Sequence, residues 1–287
     1  MKMDFKGHVL DLGSRPAIMG ILNVTPDSFY DGGKYAGADD AVARARAMAA
    51  EGADIIDVGG ESTRPGSGNV TASEEIERLR PVVDRLAGEI DVPISVDTRK
   101  AEVADAMLAL GAHMINDVSG LAYDDSMAEV VRSHGVPVVL MHMRGTPEDM
   151  QQHTGYADVV LEVRQELMDR VAAAEAAGIA REKIIIDPGI GFSKTAEQSS
   201  EIIAVVGRFV ETGYPVLLGP SRKSFMGRLL GLEPEDRLEA TIATCIWSVL
   251  KGVKILRVHD VGPVARALSM VREVSRREIS RGLVVSE

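Results

Sequence analysis

Polar side chains recur at the ends of short apolar runs along this sequence of 287 residues: Asn23, Asp57 with Glu61, Asp97, Asn116, His142, Asp187, Ser221 to Lys223, then Arg257 with His259. Any one of them could equally be a solvated or helix-capping residue. Their recurrence at one edge of successive runs points to a shared site. Asp187 ends an Ile-Ile-Ile-Asp-Pro-Gly-Ile-Gly-Phe stretch at 184–192, which sets one carboxylate in an apolar, glycine-walled mouth. Its oxygens suit a heterocycle that presents adjacent N–H and amino donors, and Asp97 and Asn116 can add acceptors and donors. A metal is the alternative reading of a lone carboxylate. It lacks support, since His142 has no second histidine at ligand spacing and Cys245 is the only cysteine.

The cationic residues suggest a second task. Leu-Gly-Pro-Ser-Arg-Lys-Ser-Phe at 218–225 puts two cations and two hydroxyls before a helical turn, a setting that favours an anion. In Leu-Arg-Val-His-Asp at 256–260, strand alternation turns Arg257 and His259 to one face and Val258 to the other. Two long loops complete the inventory. Residues 23–34 carry Phe29 and Tyr30 and read as a lid. Residues 59–68 are glycine-rich and bring Arg64 as mobile positive charge.

The elements that must position these residues alternate. Short Ile/Val runs at 17–23, 55–58, 94–97, 114–117, 137–141, 184–187, 216–219 and 255–258 read as strands. Helical spacing fills 38–51, 73–86, 101–110, 126–134, 159–177, 197–212, 235–250 and 264–277. Gly52, Gly111, Gly135, Gly178, Gly213 and Gly252 stand where a helix would end in a left-handed residue. Eight βα units fit a closed (β/α)8 TIM barrel, read as a single domain over 1–287, better than an open doubly wound sheet. In such a barrel every strand end named above lies on one rim, and the loops after strands seven and eight form the usual anion site.

Composition narrows the partners. With 43 acidic against 32 basic residues, the net charge of −11 argues against nucleic acid or an anionic membrane as a partner. No apolar run is long enough to span a bilayer, no signal segment follows the N-terminus, and a lone cysteine cannot form an internal disulfide, so a cytoplasmic location is expected.

The same segments, in order, resemble the dihydropteroate synthase family of pterin-binding enzymes over essentially the whole chain. The matching blocks are 23–29, 57–66, 96–99, 115–120, 141–145, 187–194, 221–225 and 257–261. The resemblance implies a (β/α)8 fold, a homodimer, use of Mg2+, and condensation of 6-hydroxymethyl-7,8-dihydropterin pyrophosphate with 4-aminobenzoate to 7,8-dihydropteroate and pyrophosphate. It assigns the pterin to Asp97, Asn116, Met141, Asp187, Phe192, Gly219, Lys223 and Arg257. Pyrophosphate falls to Asn23, Thr63, Arg64, Arg257 and His259, with Asn23 acting through Mg2+. The aminobenzoate pocket falls to Phe29, Thr63, Pro65 and Ser224. Asp31, Arg64, Lys223, Arg257 and His259 are the implied catalytic set, with Thr25, Asp27, Phe29 and Asp31 in the lid. Tyr30, Pro220 and Gln198-Ser199-Ser200 depart from the family pattern. The last group is expected at a helix start beyond the pocket.

Other readings are a pterin-dependent methyltransferase, a Schiff-base aldolase in which Arg222 lowers the pKa of Lys223, and a non-catalytic pterin carrier. The cationic set Arg64, Lys223, Arg257 and His259 disfavours the methyltransferase, which has no pyrophosphate to hold.

Overall fold

The apolar runs are short because each is a strand covered on both faces, by a filled barrel interior on one side and by helices on the other. A computed structural model describes residues 1–24, 33–62 and 70–280. In chain order it contains β1 (Lys2–Phe5), β2 (His8–Asp11), β3 (Ala17–Asn23), α1 (Gly33–Glu51), β4 (Ile55–Gly59), α2 (Ala72–Glu89), β5 (Ile94–Asp97), α3 (Ala101–Ala109), β6 (Met114–Asp117) and α4 (Met127–His134). There follow β7 (Val138–Met141), α5 (Val159–Ala176), β8 (Ile184–Asp187), α6 (Ala196–Ala204), α7 (Gly207–Val210), β9 (Leu217–Leu218), α8 (Ser224–Leu230), α9 (Leu238–Leu250), β10 (Ile255–Val258) and α10 (Val261–Ser280).

Eight parallel strands run in the order β8-β7-β6-β5-β4-β3-β10-β9. A bridge between Ile186 and Val216 joins the two ends of that sheet and closes the barrel. Strand alternation then determines what the interior holds. Met19, Ile55, Met114, Val139, Ile185, Leu217 and Ile255 pack inward as an apolar floor. Two residues further along the same strands stand Asp57, Asn116, Met141, Asp187, Gly219 and Arg257. The intervening residues, among them Ile56, Ile115, Leu140, Ile186, Leu218 and Leu256, face outward into the layer shared with the helices. Helix starts are capped by Thr71 with Glu74 on α2, Asp158 on α5, and Thr195 with Gln198 on α6. Each of the six glycines expected at helix ends has a positive φ, from 65° at Gly135 to 113° at Gly111.

The structure amends the expected elements in four places. An antiparallel hairpin, β1 with β2, precedes the barrel, and Met3, Phe5 and Leu12 cover its floor from below. Strand seven shrinks to Leu217–Leu218, because Val216 is used in the closing bridge and Pro220 beyond Gly219 has no N–H to continue the ladder. The helix expected at 197–212 breaks at Val205 and resumes at Gly207, where two β-branched residues and a glycine disfavour continuous helix. The helix expected at 235–250 begins at Leu238, after a single tight turn opened by Pro234.

Candidate active site

The four polar residues at the barrel's inner end form one hydrogen-bonded unit. Asp57 is fully buried, and its Oδ2 accepts from Asn116 Nδ2 at 3.0 Å and from Arg257 Nε at 2.6 Å. Arg257 also donates from Nη2 to Asp97 Oδ2 at 2.6 Å. One guanidinium is therefore shared by two carboxylates. Burial, only partly offset by Arg257 and reinforced by Asp57, pushes Asp97 up to about 7. Burial works against the Arg257 charge as well, but Asp57 and Asp97 outweigh it and hold the guanidinium above its ordinary range. Asp57 Oδ1 is buried with no partner among the described residues. A buried acceptor left open in this way is suited to an N–H donor on a ligand.

Asp187 stands on the opposite wall, at the end of β8. Its Oδ1 accepts from Gly189 N–H at 2.8 Å, and burial pushes its carboxyl up while Lys223, Lys194 and Arg257 pull it back. Lys223 precedes α8 and reaches across to donate to the Ile190 carbonyl at 2.6 Å, with its Nζ 3.9 Å from the centroid of the Phe192 ring. Burial draws Lys223 down to about 7 against the pull of Asp187, and the neighbouring charges that act on it are Asp187, Arg257 and Asp97. Phe192 packs with Val118, Met141, Met143 and Met150, which gives the mouth a flat apolar wall beside the carboxylates. Gly219 lies against Arg257: a β-carbon there would stand 3.7 Å from Arg257 Cβ.

At the rim, His259 Nδ1 is 3.0 Å from Ser221 Oγ, and its backbone N–H donates to the same oxygen at 3.1 Å, which ties loops seven and eight together. Asn23 ends β3 half-buried, and Ser224 opens α8 exposed. Thr25, Asp27, Phe29, Tyr30, Asp31, Thr63, Arg64 and Pro65 lie outside the described residues.

The structure removes some residues from the expected site. Arg222 has a left-handed φ of 54°, and its guanidinium takes Asp260 in a two-point pair at 2.7 and 2.9 Å. It therefore turns away from Lys223, whose depressed pKa comes from burial. His142 is fully buried behind the rim, with Nε2 2.9 Å from Glu166 Oε2 and Nδ1 3.0 Å from Lys194 Nζ. Glu61 joins Lys100 at 2.9 Å and the Val70 N–H at 3.2 Å, in a buried cluster beside the mouth. Ser199 is closer to the site than expected, because its hydroxyl accepts from Gly191 N–H at 3.2 Å and steadies the loop that carries Phe192.

Asp57 was visible in the sequence as a strand-end acid, yet its partnership with Arg257 links residues 200 positions apart. A cavity of about 310 Å³, lined by Arg99, Tyr123, Met143, Arg144 and Arg170, opens over the loops after β5, β6 and β7. None of the site residues expected from the sequence lines it. Among the described residues, no three His, Cys, Asp or Glu side chains gather so as to hold a metal ion, and no helix is long and apolar enough to cross a membrane.

Comparison with known proteins converges on this geometry. Residues 19–259 match the family described as pterin binding enzyme. The dihydropteroate synthase of Bacillus subtilis is 47% identical over 266 residues, which cover 93% of this chain and 91% of that one. A solved dihydropteroate synthase from Xanthomonas albilineans with 4-aminobenzoic acid superposes with a TM-score of 0.90 at 45% identity, covering 96% of this chain and 98% of that one. A structure of the Xanthomonas albilineans enzyme in complex with 7,8-dihydropteroate gives a TM-score of 0.87 at 41% identity, covering 96% of this chain and 99% of that one.

Proposed function

This chain belongs to the pterin-binding enzyme family as one of its dihydropteroate synthases, and from that premise we propose how its own residues carry out the condensation of 6-hydroxymethyl-7,8-dihydropterin pyrophosphate with 4-aminobenzoate. The observation that carries the proposal is the pairing of Asp187, braced by Gly189 N–H, with the Asp57–Asn116–Arg257–Asp97 unit across the mouth. Asp187 accepts from the pterin ring N–H and its amino group. Asp97 and Asn116 meet the remaining heteroatoms, and Lys223 donates to the ring oxygen or a ring nitrogen. Met141 and Phe192 cover the ring edge, and the flat guanidinium of Arg257 lies against its face beside Gly219.

The carbon–oxygen bond to pyrophosphate breaks with its electron pair leaving on the phosphate oxygen. The electron-rich dihydropterin holds the positive charge left on the methylene. The amine lone pair of 4-aminobenzoate then attacks that carbon and loses a proton. No protein nucleophile is needed. Arg257, His259 and Asn23, with Thr63 and Arg64, take the departing charge. Asp31 and the other lid residues keep water from the cation. Phe29, Thr63 and Pro65 surround the aminobenzoate ring, and Ser224 at the start of α8 takes its carboxylate. Among the described residues the rim offers the Asn23 amide oxygen and no cluster of carboxylates, so Asn23 would hold a Mg2+ that relied on phosphate oxygens and water for its other ligands. When bound there it neutralises leaving-group charge.

A homodimer is supported by the apolar residues that α8 and α9 leave exposed: Leu229, Leu230, Trp247 and Leu250. A cytoplasmic setting is supported by Cys245 being the only cysteine in the sequence, so that no internal disulfide can form.

The test is calorimetry of Asp187→Asn with 6-hydroxymethylpterin. Setting an amide N–H against the ring donors should cost about 2–3 kcal/mol, or about a hundredfold in affinity. Unchanged binding defeats the assignment. Release of pyrophosphate that depends on added 4-aminobenzoate tests the reaction itself.

A further inference from the structure

Lys194 closes the motif that begins at Asp187, and the reaction above makes no use of it. Its side chain is almost wholly enclosed, at 2% exposure. Its Nζ lies 3.1 Å from the Gly189 carbonyl, 2.9 Å from the Phe192 carbonyl and 3.0 Å from His142 Nδ1. An ammonium has three N–H groups and no lone pair, so three acceptors match its charged form. The histidine agrees with that reading. If Nδ1 accepts, the ring proton is on Nε2, which donates to Glu166 Oε2 at 2.9 Å; the other tautomer would set a bare nitrogen against a carboxylate. Burial draws His142 down to about 4, which leaves the ring neutral. Glu166 is held in turn by Arg144, whose Nε donates to Oε1 at 3.0 Å.

This relay of Arg144, Glu166, His142 and Lys194 ends beneath a segment that needs holding. Gly189, Gly191 and Ser193 all have left-handed φ, at 70°, 80° and 50°, so the chain reverses repeatedly between Asp187 and Lys194. For Ser193 that conformation costs about 1–2 kcal/mol. Gly189 is the residue whose N–H braces Asp187, and Phe192 is the ring beneath Lys223. Lys194 grips the carbonyls of both. Burying a cation is expensive unless it is fully paired, and here the carboxylates that support it are Asp187 and Glu166.

We propose that Lys194 is a positioning residue for Asp187, pinning Gly189 and Phe192 in place and favouring the ionised Asp187 carboxylate through its own ammonium. The inference rests on Asp187 being the pterin-reading carboxylate. The charges that face Asp187 are Lys194, Lys223 and Arg257, the last shared with Asp97 and Asp57. Burial draws Lys194 well below the ordinary lysine range; Asp187 and Glu166 work against it, Lys223 and Arg170 add to it, His142 stands neutral beside it, and the three acceptors around Nζ are what favour the ammonium. Removing the Lys194 cation leaves Asp187 with two positive neighbours, so its carboxylate protonates at higher pH, where it stops accepting from the ring.

The experiment measures the affinity of 6-hydroxymethylpterin for full-length wild type, Lys194→Met, Glu166→Gln and Asp187→Asn across the pH range, beside the KM for 4-aminobenzoate. In Lys194→Met, pterin affinity should fall about tenfold at neutral pH and its acid limb should move up by about one pH unit, while the KM for 4-aminobenzoate changes less than about twofold. An equal loss at every pH, with no movement of the limb, assigns Lys194 to the fold alone and overturns the proposal. Should Lys194→Met fail to fold, Glu166→Gln decides. Without the carboxylate that fixes His142 and supports the ammonium, the same changes should appear at about threefold, and a profile identical to wild type overturns the proposal. Asp187→Asn separates the two levels of the argument. Retained pterin affinity there sinks the assignment of Asp187, whereas lost affinity there beside a wild-type profile in Lys194→Met sinks only the role given to Lys194.

Discussion

At the lower end of the barrel, Met3 and Phe5 of the hairpin and Leu12 after it press against Met19, Ile55, Met114, Val139, Ile185, Leu217 and Ile255 in one apolar cluster. Two residues further along the same strands, about 6–7 Å away, the inward positions include Asp57, Asn116, Asp187 and Arg257. Both ends use one backbone and one alternation, and they differ only in which side chain occupies the inward position. The lower end gains stability from apolar area and close packing. The upper end buries carboxylates that burial pushes toward protonation, and it leaves Asp57 Oδ1 without a partner among the described residues. Groups that cost stability are confined to the end where a ligand can satisfy them, and the floor beneath holds the strands in register while they do so.

This division can be broken from either side. Phe5→Ala, at a fully buried floor position, should lower the unfolding free energy by about 3–5 kcal/mol in urea titrations and leave turnover per folded molecule unchanged. A fall in turnover of the folded fraction would mean that the two ends are coupled. Asp57→Asn should do the reverse. It removes one of the two carboxylates that hold Arg257 and weakens the acceptor facing Asn116. We expect kcat/KM for the pterin substrate to drop about a hundredfold, about 2.7 kcal/mol, with stability changed by no more than about 1 kcal/mol because Asp97 still pairs the guanidinium. A large stability loss with normal kinetics would place Asp57 with the floor.

The same contrast explains how much could be read in advance. Eight strands were legible because each is a short apolar run followed by a polar residue, and because Gly52, Gly111, Gly135, Gly178, Gly213 and Gly252 mark where the preceding helices stop. Asp97, Asn116, Asp187 and Arg257 were legible as polar residues at strand ends that a barrel gathers on one rim. The hairpin was not legible, since each of its strands has four residues and only Met3 and Phe5 of β1 are buried. Partner choice was not legible either. Arg222 and Lys223 look equivalent in sequence, but the left-handed φ at Arg222 sends the two cations to Asp260 and to the Ile190 carbonyl. His142 ends its strand as the binding residues do, and only its burial against Lys194 and Glu166 shows that it works from behind.

A smaller effect should appear in the acid stability of the lower end. His113 lies just before β6, packs edge-on against His8 with ring centroids 4.7 Å apart, and accepts from Ile94 N–H through Nδ1 at 3.0 Å. Burial, with His8 and Lys6 adding to it, draws His113 from 6.5 down to about 4. A base whose pKa falls on folding favours its neutral form in the native state. Its contribution is present above 6.5 and is lost as pH falls through about 4, because the unfolded chain takes up the proton first. The ring is only half-buried, so the difference between pH 7 and pH 5 should be about 1 kcal/mol in wild type and absent from the His113→Gln contribution, read as the change in urea midpoint. His142, drawn to about 4 at the other end, remains in that variant and supplies the residual acid sensitivity. Equal acid sensitivity in the two proteins would remove His113 from the account.

Arg222 offers the finest division, because it adjoins a site residue yet is excluded from the site. Its guanidinium is a third exposed, at 33%, and is satisfied by Asp260; its N–H donates to Thr241 Oγ1 at 3.0 Å, a bond that any residue at this position keeps. Arg222→Ala removes one partly exposed ion pair, worth about 0.5–1 kcal/mol of stability. Alanine meets the same left-handed strain as arginine, so the backbone cost does not change. Pterin affinity should stay within about twofold of wild type, and the pH dependence of that affinity near neutrality, where burial draws the Lys223 pKa down to about 7, should not move. A shift in that dependence would show that Arg222 acts on Lys223 electrostatically. A tenfold loss of turnover at unchanged pterin affinity would instead bring Arg222 to the leaving group, and the boundary between the mouth and its surroundings would then have to be drawn one residue further out.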